Sequence, residues 1–544
     1  MRRGFWILGW IFGIGSLPAG VVQPIPLADN ADAKIEISCF LDDLPSRGYL
    51  PLEVKIRNAS GAPQKWSFDF SSPGTHHSSS ALIVESSTDL PVEKQATRTF
   101  SVLVPLSPDL ADNPWAGLEA SVRGYQTTYD SRTPILAGNY SGSQNDAFVA
   151  ISTRLGSSLW NELREAMKTG TTEHLKGSLF DPKRLPEDWR GLSGIDALWL
   201  TDTELDQLSS AQRDALRVWA QMGGQLTLCG ASAVPEDFQN VFFGKVKTRP
   251  DFLTVATAKA AIDGLESKPG GFEWVDDTAH EYPGIKPNIP VLISLVILFA
   301  LIVGPVNIFY FASTGNRHRL FWTTPLISIA ASLLIAAFIL FQDGIGGQGI
   351  RAALIYVMPD EHRQILIQRQ TSRTGPLLGN AFQTADPVVM LQQTENDQTR
   401  VMKNNDTHFS GDWFSSRSIQ TQKIQSVIPS RSEITLLNAA AVQAQSDAPV
   451  VTSSFPAPLE ELIYEDAKKR RWSARNVRPG EKVTLTPGQP KKSFRDRLNH
   501  PVPSRSGAGT FFATNRDSSA FLSTLTSIRW DDKPVVYFGP VSLP

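Results

Sequence analysis

The stretch GIDALWLTDTELDQLSSAQRDALRVWAQMGGQLTLCG, residues 194–230, reads as strand, helix, strand. An apolar run ends in the polar Thr201-Asp202-Thr203. Ser209 and Gln212 then have the spacing of a capping box, in which the hydroxyl accepts from the third amide and the glutamine reaches back. Ala215, Leu216, Trp219 and Met222 fall on one helical face. Gly223-Gly224 supplies the left-handed conformation that ends a helix, and Gln225-Leu-Thr-Leu-Cys-Gly begins another strand. Upstream, Phe148-Val-Ala-Ile-Ser is a short apolar strand, and residues 159–167 have helical spacing. Strands alternating with helices imply a parallel sheet covered by helices, so residues 146–270 read as an α/β domain.

Ligands of open α/β sheets lie beyond the carboxyl ends of the strands, at a topological switch point. Thr201, Asp202, Thr203, Cys229, Gly230 and Ser232 occupy that place and are the candidate ligand-binding residues. Asp202 and Thr203 equally suit plain satisfaction of loop backbone groups. There is no glycine-rich dinucleotide fingerprint and no phosphate-binding loop, so no cofactor is assigned and no small-molecule ligand is named.

Toward the N-terminus the period changes to two. Leu52, Val54 and Ile56 alternate with Glu53, Lys55 and Arg57; Trp66, Phe68 and Phe70 alternate again, as do Phe100, Val102 and Val104. Short alternating strands separated by Gly, Pro, Asn and Ser predict a β-sandwich over residues 34–145. Residues 1–28 combine Met-Arg-Arg, an apolar run over 5–17 and the small residues Ala19, Gly20 and Ala28, the pattern of a signal peptide or signal anchor.

Beyond a linker at 271–288, two apolar runs, 289–311 and 320–341, each have the roughly 20 residues that cross a bilayer as a helix. The link at 312–319 carries Arg317, His318 and Arg319, whereas the outer flanks carry Asp276, Asp277, Glu281 and Asp343. Basic residues in short loops stay in the cytoplasm. The runs therefore predict a transmembrane hairpin with a cytoplasmic link, and both flanks outside the cytoplasm. Gly304-Pro305 predicts a kink, and Asn307 a polar contact to a partner helix or cavity. Ala330, Ala331, Ser332, Ala336 and Ala337 give the second run a small-residue surface.

From 350 to 544 the pattern is mostly β, with strands expected at 353–357, 364–368 and 534–539 and a helix from Leu459 toward Lys469. A chain of 544 residues suggests three or four domains. The net charge of −2 offers no electrostatic case for nucleic acid. Two cysteines, Cys39 and Cys229, exclude a disulfide framework. The eight histidines are scattered without zinc-ligand spacing, and His76-His77 reads as an exposed loop pair rather than a metal site.

The 194–230 string resembles the class I glutamine amidotransferase-like, flavodoxin-like domain of a largely uncharacterised family of bacterial membrane proteins. There a sandwich module and this domain precede membrane spans. GYLPLEVKIRN at 48–58 resembles immunoglobulin-like modules of bacterial envelope proteins, and GPVN at 304–307 with RHRLFWTTP at 317–325 resembles the family's spans. The resemblance covers roughly residues 34–345 and gives architecture more than activity. An active amidotransferase would carry a nucleophilic Cys between spaced glycines, with His and Glu partners. Here Thr227 replaces the first glycine, Gly230 follows Cys229 immediately, and His280-Glu281 lies in the linker. Cys229 thus reads as a small core residue. The reading is a non-enzymatic protein of the bacterial inner membrane, with most of the chain periplasmic and offered to envelope or membrane proteins for interaction, assembly or ligand sensing. The alternatives are a cryptic amidotransferase-like hydrolase and an accessory subunit of a membrane transport complex.

Overall fold

A computed structural model of the protein describes residues 22–25, 32–45, 47–72, 82–108, 110, 117–130, 136–137, 147–156, 175–239, 241, 244–249, 289–311, 320–343, 346–393, 400–443, 447–488 and 509–544. The expected signal segment up to residue 21, His76-His77, the helix at 159–167, the 271–288 linker and the 312–319 link lie outside these residues.

Among the described residues, half of the architecture is sheet built from alternating strands. A four-stranded sheet runs in the order β1 (Val22–Ile25), β2 (Ala33–Cys39), β3 (Tyr49–Asn58), β6 (Ala96–Pro105). It faces a sheet containing β4 (Gln64–Ser72), β5 (Leu82–Val92), β7 (Gly117–Gly124), β8 (Thr127–Asp130) and, beside β7, β9 (Leu136–Ala137). Ile35, Ile37, Leu52, Val54 and Ile56 meet Trp66, Phe68 and Phe70 between the two sheets. The period-two pattern did this: one face of each strand is apolar, and burying both faces against each other removes them from water.

The second sheet does not stop there. β5 pairs in parallel with β19 (Arg400–Asn405), Leu82 opposite Arg400 and Glu85 opposite Lys403, and β20 (His408–Gly411) and β17 (Phe382–Gln383) extend it further. One sheet therefore crosses the boundary that the sequence pattern draws between residues 34–145 and 350–544.

The α/β part is a parallel sheet of β10 (Ala147–Ser152), β11 (Leu175–Phe180), β12 (Ala197–Thr201), β13 (Gln225–Cys229) and β14 (Lys245–Arg249), in the order β11-β10-β12-β13-β14. Between β12 and β13 lie the short helix α1 (Asp202–Asp206) and α2 (Ser210–Gln221). The capping box at α2 is formed: Ser209 Oγ accepts from the Gln212 amide at 3.1 Å, and Gln212 Oε1 from the Ser209 amide at 3.0 Å. At its other end Gly224 packs so tightly that an added Cβ would fall 2.2 Å from the Trp219 ring.

Apart from β17, β19 and β20, the described residues from 346 onward lie largely in a third layer. Its large sheet runs β18 (Val388–Gln393), β21 (Ile419–Pro429), β16 (Arg363–Thr374), β15 (Gly347–Met358), β30 (Val535–Pro540), β28 (Thr510–Asn515), β24 (Leu459–Glu465), β25 (Arg471–Val477), β27 (Thr486–Pro487), with β29 (Ile528–Asp532) also beside β15. The expected helix from Leu459 toward Lys469 is instead strand β24, paired with β25 and β28. Leu459, Leu462 and Tyr464 enter the inner core while Ile463 faces the other side. The turn to β25 is closed at Asp466, whose carboxylate accepts from the amides of Lys468 and Arg470.

Both faces of α2 are buried. Leu216, Trp219 and Ala220 join the core shared by the two N-terminal sheets and the parallel sheet. Val218 and Met222 pack on Leu354, Tyr356, Ile365 and Phe538 of the large C-terminal sheet. Asp214 pairs with Arg363 at 2.8 Å and Arg217 with Glu361 at 3.4 Å along the same seam. The sequence pattern puts Met222 on the same face as Leu216; the structure assigns it to the second core.

Two apolar helices lie among the remaining described residues. α3 (Ile289–Leu301) gives way at Ile302 to a π-helical stretch through Phe311 that contains Gly304 and Pro305. Proline lacks the amide donor and disturbs the regular ladder at such points. α4 spans Leu320–Asp343. Among the described residues one window, Ile293–Tyr310, is long and apolar enough to cross a membrane, and α4 has a shorter apolar stretch, Phe321–Ala337. Asn307, fully buried, donates to Thr324 Oγ1 at 2.8 Å and accepts from Thr323 Oγ1 at 2.7 Å.

Candidate functional site

The carboxyl ends of the parallel strands bring most of the expected ligand-binding residues together. Thr201 ends β12 opposite Cys229 at the end of β13. Thr201 also caps α1: its hydroxyl accepts from the Glu204 amide at 3.2 Å. Glu204 Oε2 in return accepts from the Thr201 amide at 2.8 Å, from the Thr201 hydroxyl at 2.9 Å and from Ser152 Oγ at 2.8 Å. Asp202 Oδ1 accepts from the Thr203 amide at 2.7 Å, and Arg154 donates to Thr203 Oγ1 at 3.0 Å. Gly230 adopts φ +89°, and a Cβ there would press to 3.0 Å from Asp202 Oδ1. Ser232 is exposed beyond this cluster.

These contacts are spent locally. The buried carboxylate that organises the corner is Glu204, outside the expected ligand-binding residues, although Thr201-x-x-Glu204 has the same capping-box spacing as Ser209-x-x-Gln212. The Cys229 side chain is fully buried, out of reach of a solute, and neither it nor Cys39 is in a disulfide. Among the described residues no group of three or more His, Cys, Asp or Glu is arranged to hold a metal ion.

A wide opening lies elsewhere. A cleft of about 850 Å³ forms where β3, β5 and β6 meet the segment 183–190 and the turn between β19 and β20. Phe40, Tyr49, Leu52 and Leu90, all buried, form its floor, and Glu53, Lys183, Glu187 and Asp406 stand on its walls. Arg190 fastens one end: it donates to Asp188 at 2.7 Å and to Asp406 at 2.6 Å, with its side chain 8% exposed. Burial disfavours that charge, but the two carboxylates outweigh it and raise the guanidinium pKa. Burial likewise pushes the Tyr49 hydroxyl up to about 12, against the opposing hydrogen bond from the Asn404 amide. Tyr49 donates onward to the Val388 carbonyl at 3.3 Å. Arg184 pairs with Glu53 at 2.9 Å. The cleft thus has an apolar floor and walls of both charges.

No protein-family model and no curated protein matches the chain. Among solved structures, a cycloisomaltooligosaccharide glucanotransferase of Paenibacillus sp. is similar over 35% of this chain and 27% of its own, at 10% identity and a TM-score of 0.16. A GH20 exo-β-N-acetylglucosaminidase of Vibrio harveyi is similar over 35% of this chain and 36% of its own, at 12% identity and a TM-score of 0.12. A calcium-binding mutant of Bacteroides uniformis β-glucuronidase 2 aligns over 91% of this chain and 60% of its own, at 8% identity and a TM-score of 0.14. The chain thus spans about a quarter to a third of the first two enzymes, and TM-scores of this size assign neither fold nor activity.

Proposed function

We propose that this chain is an integral protein of the bacterial cytoplasmic membrane whose β-rich body lies outside the cytoplasm as a non-enzymatic platform for protein interaction, assembly or ligand sensing. The observation that carries the reading is the sheet shared by β5 and β19. Residues before and after the apolar helices belong to one folded body, so both flanks lie on one side of any membrane. Between them the chain can cross an even number of times only, and two helices with exposed Phe309, Tyr310, Phe321 and Trp322 beside their link suit one hairpin. Arg317 and Arg319 in that link point it to the cytoplasm. The hydrogen bonds of Asn307 to α4 support pairing of the two helices in lipid, where a polar side chain needs a protein partner. The strand order β11-β10-β12-β13-β14 is that of flavodoxin-like sheets, which supports the resemblance to degenerate amidotransferase-like domains.

Both native cysteines are buried, which leaves a clean background for labelling. Ser313→Cys in the link and Leu378→Cys on the body are treated with a membrane-impermeant maleimide in intact spheroplasts. The expected result is labelling of Leu378→Cys at once and of Ser313→Cys after permeabilisation alone; the reverse pattern would sink the topology. Crosslinked recovery from native membranes, repeated with the body deleted, tests the platform role.

A further inference from the structure

Two strands of the shared sheet lose their apolar pattern where they reach the cleft. On β5 the inward positions Leu82, Val84, Leu90 and Val92 are buried and apolar, and on β19 so is Met402. The inward positions between those of β5 are Ser86 and Thr88, and after Met402 comes Asn404. Ser86 and Asn404 are 7% and 2% exposed, and both line the cleft. Register sets them side by side: Glu85 stands opposite Lys403, and the next residue of each strand faces the other way. Tyr49 fixes how the Asn404 amide is turned. Its hydroxyl donates to the Val388 carbonyl, so its oxygen accepts from Asn404 Nδ2, and Asn404 Oδ1 must find a donor elsewhere. Among the described residues that oxygen has no hydrogen-bond partner, and neither has Ser86 Oγ. Buried polar atoms are almost always partnered. Two unmet ones at one place in a cavity call for a guest.

We infer that the inner end of this cleft binds a saccharide, through a ligand hydroxyl that donates to Asn404 Oδ1 and accepts from Ser86 Oγ. A hydroxyl does both at one atom. An ion is the wrong guest, because the charges on the walls are matched. Glu53 pairs with Arg184, Asp188 and Asp406 share Arg190, and Lys183 and Glu187 add one charge of each sign. A carboxylate has about four acceptor sites, so Glu53 and Asp406 keep room for further ligand hydroxyls. Leu90 and the half-buried Phe100 give the C–H face of a sugar ring an apolar surface on which to leave water. The cleft volume of about 850 Å³ falls within the range of about 300–1,000 Å³ of small-molecule sites, which set a few convergent polar groups in an apolar lining. The inference rests on the platform reading for its role and deepens it, giving the ligand-sensing side a ligand class.

The test uses the full chain in a detergent without a sugar headgroup. A panel of neutral mono-, di- and trisaccharides is screened by saturation-transfer NMR, and the binders are measured by calorimetry. The tightest binder is then measured as a series of deoxy analogues, each lacking one hydroxyl. The expected result is one hydroxyl whose loss weakens binding at least about fivefold, the worth of a typical hydrogen bond. Ser86→Ala should weaken the parent sugar several-fold and leave the affinity of that one deoxy analogue unchanged, because both changes remove the same contact. The deoxy series leaves the protein unaltered, so it decides the matter even if the variant misfolds. An empty panel, deoxy analogues that all bind alike, or additive effects of Ser86→Ala and the deoxy change would each overturn the inference. Binding together with inverted labelling of Ser313→Cys would uphold the site and sink the membrane topology; an empty panel with the expected labelling would do the opposite.

Discussion

Arg190 joins two parts of the chain that lie more than two hundred residues apart, and its near-complete burial makes the join expensive to break. Arg190→Met would strand Asp188 and Asp406 beside an apolar side chain. Asp188 and Asp406 are 37% and 65% exposed and can be solvated once the guanidinium is gone, so the loss is that of charge-assisted hydrogen bonds, about 1.5–3 kcal/mol, and the expected outcome is a lower melting temperature together with faster proteolysis at the β19–β20 turn. Equal melting curves for the variant and the parent would show that the pair contributes nothing. Tyr49 makes a prediction in pH. Its folded pKa, raised by burial to about 12, lies above the unfolded value near 10. Its contribution is therefore complete below pH 10 and is lost as the pH rises toward 12. Urea titrations between pH 9 and 12 should show a smaller alkaline loss in Tyr49→Phe than in the parent. Neither role was legible from the sequence. Arg190 and Tyr49 sit in segments without a motif, and their partners, Asp406 and Asn404, are distant along the chain. Glu204 was missed as well, although its capping-box spacing from Thr201 is a local signal that could have found it.

At the scale of elements, α2 is the piece whose sequence and setting agree most closely. Its start, its stop and its length follow from Ser209, Gln212 and the Gly223-Gly224 pair, all local chemistry. Ser209→Ala removes one cap and should cost about 1 kcal/mol. Gly224→Ala forces a methyl into the Trp219 ring and should cost more, with the Trp219 indole, which now donates to the Ile195 carbonyl at 3.0 Å, displaced. Thermal unfolding with tryptophan fluorescence separates the two effects; a silent Gly224→Ala would contradict the packing. The second face of α2 was less legible, since Val218 and Met222 count as core only once the C-terminal sheet lies on them. Val218→Asp puts a charge in that seam. We expect the third layer to detach while α2 stays folded, read as new protease sites in residues 346–544. β24 gives the opposite lesson: Leu459-Glu-Glu-Leu-Ile-Tyr-Glu suits a helix by propensity, but two neighbouring strands offer its backbone a ladder on both sides, and tertiary pairing overrides propensity.

For the whole molecule, the decisive feature is that the two halves of the chain are knitted together around the apolar helices. A protease site placed in the link between α3 and α4 should yield two fragments that elute together from a gel-filtration column in mild detergent and part in denaturant. Fragments that separate without denaturant would contradict the shared sheet. By itself, the sequence determined what depends on neighbours along the chain: the period-two strands, the capped helix and its glycine stop, and the two apolar runs with their basic link. Each of these is set by residues within a turn or a pleat of one another, so spacing alone reveals it. Only the tertiary structure decided that β5 and β19 share a sheet, that α2 serves two cores, and that a cleft opens where β3, β5 and β6 meet the segment 183–190. Those outcomes depend on which surfaces find each other across hundreds of residues, and the hydrophobic pattern that drives such burial has no address written in it.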